Sequence, residues 1–302
     1  MPLVPFAELL ANARQGRYAV GYFESWSLES LLAIADAAEA QRAPVVLGFS
    51  GVYLPHPRRK AHDPLSTYAA MALSVCRSVS VPAALMFNES PNRAWCSEAV
   101  RLGFNAVMYS NDADDPARRL RAVTDLVTEA HAAGAAVEAE IESLAGVAGD
   151  LRGDTRQEVR LTEFGPARAF VDDTGVDALA VNVGQIHLHG RRMVRLDFDR
   201  IKRLAELAAP LVLHGATSVR PDDLARAAEL GVAKVNVGSR LKQAYFEAMR
   251  RATIEAGDHP LNPYEIIGSG LTNDVLMSGR LAMQGEVERF MILFGSNGRA
   301  RT

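Results

Sequence analysis

Short apolar runs rich in β-branched and aromatic residues recur along the chain, and between them apolar positions follow helical spacing. Eight such runs predict strands: 17–23 (RYAVGYF), 44–50 (PVVLGFS), 81–88 (VPAALMFN), 104–109 (FNAVMY), 136–141 (AVEAEI), 177–183 (DALAVNV), 210–215 (PLVLHG) and 232–237 (VAKVNV). The intervening stretches, such as 28–41 (LESLLAIADAAEAQ), 118–133 and 222–230, are rich in Ala, Leu and Glu and predict helices. Near-continuous apolar strands alternating with helices imply a parallel sheet covered by helices. Eight units match a closed (β/α)8 TIM barrel better than an open doubly wound sheet. The length alone allows one or two domains; the eightfold pattern makes residues 1–302 one barrel domain. Beyond Val237 a Gly/Asn/Pro-marked break at 257–270 predicts additional C-terminal helices beside the barrel. Segments 51–62 and 145–163 follow predicted strands and carry Gly, Pro or charge, as long loops over a barrel's carboxyl face do.

Composition narrows the function. With 33 Lys+Arg against 36 Asp+Glu, a net charge of −3, there is no electrostatic reason to expect nucleic acid or an anionic membrane as partner. A content of 48% hydrophobic and 23% charged residues excludes disorder and fibres. No stretch approaches the roughly 20 apolar residues of a membrane span, and residues 1–16 lack a signal peptide's apolar core, so the expected compartment is the cytoplasm. Cys76 and Cys96 have no metal or disulfide spacing and read as free thiols.

In a barrel, chemistry sits at and just after the carboxyl ends of the strands. There the chain places Glu24 and Ser25; Ser50; Asn88, Glu89 and Ser90; Ser110 and Asn111; Glu138 and Glu140; Gln185, His187 and His189; His214, Gly215 and Thr217; and Asn236, Gly238 and Ser239. His187 and His214 come from neighbouring strands and can converge above the barrel axis. Two histidines with a carboxylate, for which Glu89 is available, suffice for a divalent metal with open positions. A pair of hydrogen-bonded rim histidines explains the spacing equally well, and His189, two residues after His187, is either a substitute ligand or a loop residue. The segments 214–219 (HGATSV) and 236–240 (NVGSR) each put Gly and a hydroxyl residue directly after a strand. Backbone N–H groups there, with the start of the next helix, can cradle a phosphate.

Nearly end to end, the sequence resembles the class II, metal-dependent ketose-bisphosphate aldolases. The resemblance is carried by MPLVPFAELLANARQGRYAVGYF, TGVDALAVNVG, HGATSV, GVAKVNVGSR and FMILFGSNGRA. It implies a TIM barrel, a divalent metal ion, a phosphorylated keto substrate and a homodimer or homotetramer. The family's third strand ends His-x-Asp-His-Gly, the Asp an acid/base and the second His a metal ligand; here residues 86–90 read MFNES, so Asn88 and Glu89 stand at those positions. The second metal histidine falls at His187 by distance from Gly184, or at His189 with a two-residue insertion, and the third falls at His214. The loop carboxylate after strand five has only Asp150 or Asp154 to replace it, and the family's early Asn is Glu24. Phosphate-side residues Ser50, Gly215, Thr217, Asn236 and Ser239 are retained, with Gly238 and Arg240 in place of an Asp-containing segment.

The expectation is therefore an altered class II lyase. A divalent ion (Zn, Mg or Mn) on Glu89, His187 and His214 would polarise the substrate carbonyl and stabilise an enediolate. The added negative charge of Glu89 favours Mg or Mn over Zn. Glu24, Glu140 or Asp150 would be the base, and Asn88, an amide unable to exchange a proton, would orient a hydroxyl. Standard fructose-bisphosphate cleavage is not expected. The rival expectation is a non-catalytic aldolase-like subunit that binds a sugar phosphate.

Overall fold

The computed structural model describes residues 3–142, 160–186, 193–257 and 262–300. Helix α1 (Phe6–Gly16) precedes β1 (Val20–Ser25), and the chain then alternates through α2 (Leu28–Gln41), β2 (Val45–Ser50), α3 (Leu65–Ser78), β3 (Ala83–Ser90), α4 (Arg93–Arg101), β4 (Ala106–Tyr109), α5 (Pro116–Ala132) and β5 (Ala136–Glu140). It continues with α6 (Phe164–Thr174), β6 (Ala178–Ala180), α7 (Phe198–Leu204), β7 (Leu211–Leu213), α8 (Pro221–Glu229), β8 (Val232–Val237), α9 (Ser239–Ala256), α10 (Pro263–Ile266) and α11 (Val275–Leu293). All eight strands are parallel to their neighbours and close in sequence order, β8 pairing back onto β1. This is the (β/α)8 barrel with additional C-terminal helices that the alternating pattern implies. Side-chain caps mark the helix starts: Ser27 forms a capping box with Ser30 on α2, and Asn92, Asp115 and Asp197 accept from first-turn amides of α4, α5 and α7.

The apolar interior has two layers. The larger lies between strands and surrounding helices, where Phe23, Leu47, Phe87, Val107, Leu213 and Val237 meet Leu31, Ile34, Ala72, Leu126, Ala227 and Phe290. The smaller fills the barrel itself with Val20, Tyr22, Val46, Met86 and Met108 and the alanines at 84, 106, 136, 178, 180 and 233. Helix α1, which strand–helix alternation alone does not reveal, closes the amino end of this inner layer with Phe6, Leu9, Leu10 and Ala13. Val4 ties its approach to the strand starts, its N–H donating to Ala83 O and its carbonyl accepting from Asn105 Nδ2. At the C-terminus, α11 packs against α2 and α9.

One strand is shorter than its sequence pattern. β6 stops at Ala180, although the apolar run extends to Val183, because side chains there take over the backbone: Asn182 Oδ1 accepts from Gly184 N and Gln185 Oε1 from Val183 N. Cys76 and Cys96 are buried free thiols, pushed up to about 12 by desolvation. No described helix is long and apolar enough to cross a membrane.

Candidate active site

A cavity of about 460 Å³ opens at the carboxyl end of the barrel. β1 contributes Tyr22 and Glu24 to its walls, β2 contributes Ser50, and the following loop Tyr53. From β3 come Asn88 and Glu89, after β7 His214 and the turn 215–218, from β8 Asn236, and from the start of α9 Gly238, Ser239 and Lys242. Two consecutive residues of a regular strand face opposite sides, yet Asn88 and Glu89 both line this space. Glu89 has φ 53°, a left-handed conformation that costs an L-residue on the order of 1–2 kcal/mol, and the β3–β4 register shifts between Phe87 and Ser90. The local strain turns the Glu89 carboxylate inward.

His214 is the hub of a buried chain of charges. Its Nδ1 is 2.7 Å from Glu89 Oε1 and its Nε2 is 2.8 Å from Glu138 Oε1. Glu138 in turn pairs with Lys234 at 2.6 Å through Oε2, and Asn88 Nδ2 donates to Glu89 Oε2 at 3.1 Å. The Asn236 amide lies 3.0 Å from His214 Nε2. Burial by itself would disfavour the charged imidazole, but Glu89 and Glu138 outweigh it and raise the His214 pKa to about 10. Burial likewise pushes Glu138 up, and Lys234 and His214 more than reverse it, leaving that carboxyl below its usual range. Lys234 is lowered by desolvation in spite of Glu138.

Can these residues hold a cation? A carboxylate accepts and does not donate, so His214 carries a proton at each nitrogen in this arrangement. A divalent cation would take the place of the proton between Nδ1 and Glu89, while Nε2 stays held by a carboxylate, the usual outer support of a metal-bound histidine. The donor chemistry of Glu89 and His214 thus fits a cation. Among the described residues no set of three or more His, Cys, Asp or Glu side chains is arranged around one ion position. The third expected ligand, His187, and its alternative His189 lie outside the described residues, as does Asp150.

The two remaining carboxylates named as bases have different settings. Glu140 is buried, accepts from Ser110 Oγ at 2.5 Å, and is raised to about 7 by desolvation; it is not among the residues lining the cavity. Glu24 does line it, but is ion-paired with Lys242 at 2.5 Å. A Cβ on Gly238 would lie 2.4 Å from Glu24 Oε2, so the missing side chain there makes room for that carboxylate at the start of α9. On the expected phosphate side, Ser50, Gly215, Thr217, Asn236, Gly238 and Ser239 all border the cavity, with residues 216–218 in a single 3-10 turn. Arg240 points elsewhere, pairing with Glu286 on α11 at 2.7 Å.

Four further residues matter that were not singled out from the sequence: Tyr22, Tyr53, Lys234 and Lys242. For Tyr22 and Lys234 a signal existed. Each sits two positions before a site residue on its strand, Glu24 and Asn236, and period-two alternation puts both on the barrel's inner side. Glu138 stood in the list of strand-end residues with no role, and it is the carboxylate that holds His214.

A closed parallel barrel with a polar, charge-linked cavity at its carboxyl end is the architecture of (β/α)8-barrel enzymes. The chain belongs to the class-II fructose-bisphosphate aldolase family, whose model it matches over residues 4–299. It is 31% identical to a fructose-bisphosphate aldolase of Thermus caldophilus, over 99% of this chain and all of that one. It is 29% identical to a sulfofructosephosphate aldolase of Alkalicoccus urumqiensis, over 97% of each. The crystal structure of the YdjI aldolase from Escherichia coli K12 matches with a TM-score of 0.79 at 25% identity, over 99% of this chain and all of that one.

Proposed function

We propose that this chain is a class II aldolase-type lyase that acts on a phosphorylated keto compound through an enediolate, and that fructose-bisphosphate cleavage is not its principal reaction. The observation that carries the reading is one cavity shared by a carboxylate-held histidine and a small-residue turn pair. His214 with Glu89 forms one wall, and residues 215–218 with 238–239 form another.

On this reading the turn pair and Ser50 receive the phosphate, and the amides of Asn88 and Asn236 orient substrate hydroxyls. A divalent ion held by Glu89 and His214, with His187 as the expected third ligand, supplies electrophilic polarisation of the keto oxygen when bound. Glu140 does not border the cavity but lies close enough to His214 and Glu89 to feel their charges. We assign it as the base because a carboxyl raised to about 7 populates both protonation forms near neutrality; Glu24, which does border the cavity, is the alternative. In cleavage, a substrate hydroxyl loses its proton to the base and becomes the carbonyl of the departing aldehyde. The carbon–carbon bond breaks, and its electron pair passes into the enediolate of the remaining fragment. At strand three the family carries a proton-exchanging Asp where this chain has Asn88. Loss of a positioned acid/base typically forfeits about 10² to 10⁴ in rate. Relatives at 31% and 29% identity bear names with different substrates, so overall similarity does not select one for this chain.

The test follows solvent deuterium into dihydroxyacetone phosphate and, separately, fructose 1,6-bisphosphate cleavage with a coupled dehydrogenase, both on metal-replete protein. The expected result is exchange, lost in Glu140→Gln and His214→Ala, with cleavage at least about 10²-fold below ordinary family members. Absence of both activities, with sugar phosphate still bound, would favour the non-catalytic binding reading instead.

A further inference from the structure

Three residues that line the active-site cavity each carry a buried polar atom with no hydrogen-bond partner among the described residues: Tyr22 Oη, Asn88 Oδ1 and Asn236 Oδ1. A buried polar group left unpaired costs the full desolvation of that group. Other described residues carry such atoms away from the cavity, Ser25 Oγ, Arg119 Nε and Asn182 Nδ2 among them. These three differ in belonging to residues that border one space, where an occupant of that space can supply their partners.

Tyr22 is the one whose presence packing does not explain. Its ring is accommodated in detail: it is 2% exposed, Lys234 Nζ lies 5.2 Å from its centre, and a Cβ on Gly48 would come within 2.9 Å of its Cε2. A phenylalanine would satisfy all of these contacts. The hydroxyl adds a buried donor that the described residues leave unused.

We infer that Tyr22 is a further catalytic residue, a neutral hydrogen-bond donor that takes a substrate oxygen at the floor of the cavity. Burial, reinforced by Glu24, Glu89 and Glu138, holds its phenol well above the usual tyrosine value, so it donates and keeps its proton. No proton leaves the phenol, and no co-reactant is needed. Asn88, whose amide nitrogen donates to Glu89 and whose Oδ1 is left as an acceptor, cannot exchange a proton where the family carries an acid. Tyr22 returns an O–H donor to the same space, from β1 instead of β3. The ligand end that fits is a carbon chain bearing adjacent oxygens, with at least one hydroxyl to donate to an amide oxygen and one oxygen to accept from Tyr22. This inference rests on the proposed reading of the cavity as a site for a phosphorylated keto compound.

The test compares wild-type protein with Tyr22→Phe. Thermal unfolding should show Tyr22→Phe as stable as wild type or more so, since the change removes an unpaired buried hydroxyl. Deuterium exchange into dihydroxyacetone phosphate should fall by about 10²-fold or more, the usual effect of removing one such donor. In protein carrying [ζ-13C]tyrosine, the resonance missing from Tyr22→Phe should move when dihydroxyacetone phosphate is added to wild type. Exchange within twofold of wild type in Tyr22→Phe, or an unmoved Tyr22 resonance in protein that binds the ligand, overturns the inference and leaves the proposed function standing. A wild-type protein that neither binds nor exchanges dihydroxyacetone phosphate overturns the proposed function and the inference with it.

Discussion

The barrel contains the same ion pair twice, at two depths. Lys234 and Glu138 meet at 2.6 Å in the barrel interior with neither side chain exposed, whereas Lys242 and Glu24 meet at 2.5 Å on the rim with 40% and 16% exposure. Coulomb attraction at equal distance depends on the medium, so equal geometry does not mean equal energy. The deep pair sits among Met86 and the rings of Phe6 and Tyr22, and Glu138 passes its charge on to His214. The rim pair lies against Trp26 and Tyr53 and faces the cavity mouth. Depth turns one pair into part of the framework of the site and leaves the other as an adjustable part of its entrance.

The sharpest way to break this comparison is to remove the lysine at depth. Lys234→Met keeps the length and apolar stem of the side chain but strands Glu138 in the barrel with His214 as its remaining cationic partner. Breaking a buried pair from one side typically costs about 3–5 kcal/mol, because an uncompensated charge stays behind. Urea unfolding should show a loss of that size, and the double variant Lys234→Met/Glu138→Gln should recover part of it. A loss below about 1 kcal/mol would put the deep pair on the same footing as an exposed one.

Glu140 separates depth from pairing. It lies two residues after Glu138 on β5 and is buried as well, yet Ser110 and not a lysine is its close partner. The two carboxyls accordingly move in opposite directions, Glu138 below its usual range and Glu140 up to about 7. A folded-state pKa above the unfolded one means the native protein binds more protons in that window. The stability tied to Glu140 is fully present below about pH 4.5 and is lost as pH rises through 7. The shift from 4.5 to about 7 corresponds to on the order of 3 kcal/mol. In Glu140→Gln that slope should vanish, so the wild-type minus variant difference in unfolding free energy between pH 4 and pH 8 measures it. An identical pH profile in the two proteins would remove Glu140 as the titrating base.

The barrel was legible because its strands are buried on both faces and therefore apolar throughout, and because their number and order leave few closed arrangements. Strand ends also announced Asn88, Glu89, His214 and Asn236, since polar residues interrupting apolar runs stand out. Interior charges did not. Lys234 reads as an ordinary lysine in VAKVNV until alternation is combined with closure of the barrel, which together leave it no route to solvent. Helix α1 escaped for a related reason: its apolar face of Phe6, Leu9, Leu10 and Ala13 is an ordinary amphipathic stripe, and nothing local states that it closes a barrel. The Glu89 turn needed coordinates, because a positive φ at Glu carries no sequence signature.

The rim pair should show the smallest effect on stability and a measurable one on binding. Glu24→Gln and Lys242→Met are each expected to change unfolding free energy by less than about 1 kcal/mol, the range of exposed ion pairs. Their effects on inorganic phosphate should have opposite signs. Glu24 Oε2 occupies the space beside Gly238 at the start of α9, where a carboxylate opposes an incoming dianion and also engages Lys242. Neutralising it frees the ammonium and removes the repulsion, so Glu24→Gln should bind phosphate more tightly, by about two- to fivefold for 0.5–1 kcal/mol. Lys242→Met should bind it more weakly by a similar factor, and both differences should shrink as salt is raised. Calorimetric titration with phosphate at two ionic strengths reads all of this at once. Equal affinities in the three proteins would mean that the anion does not approach the start of α9, and that the mouth of the cavity has no electrostatic part in choosing the substrate.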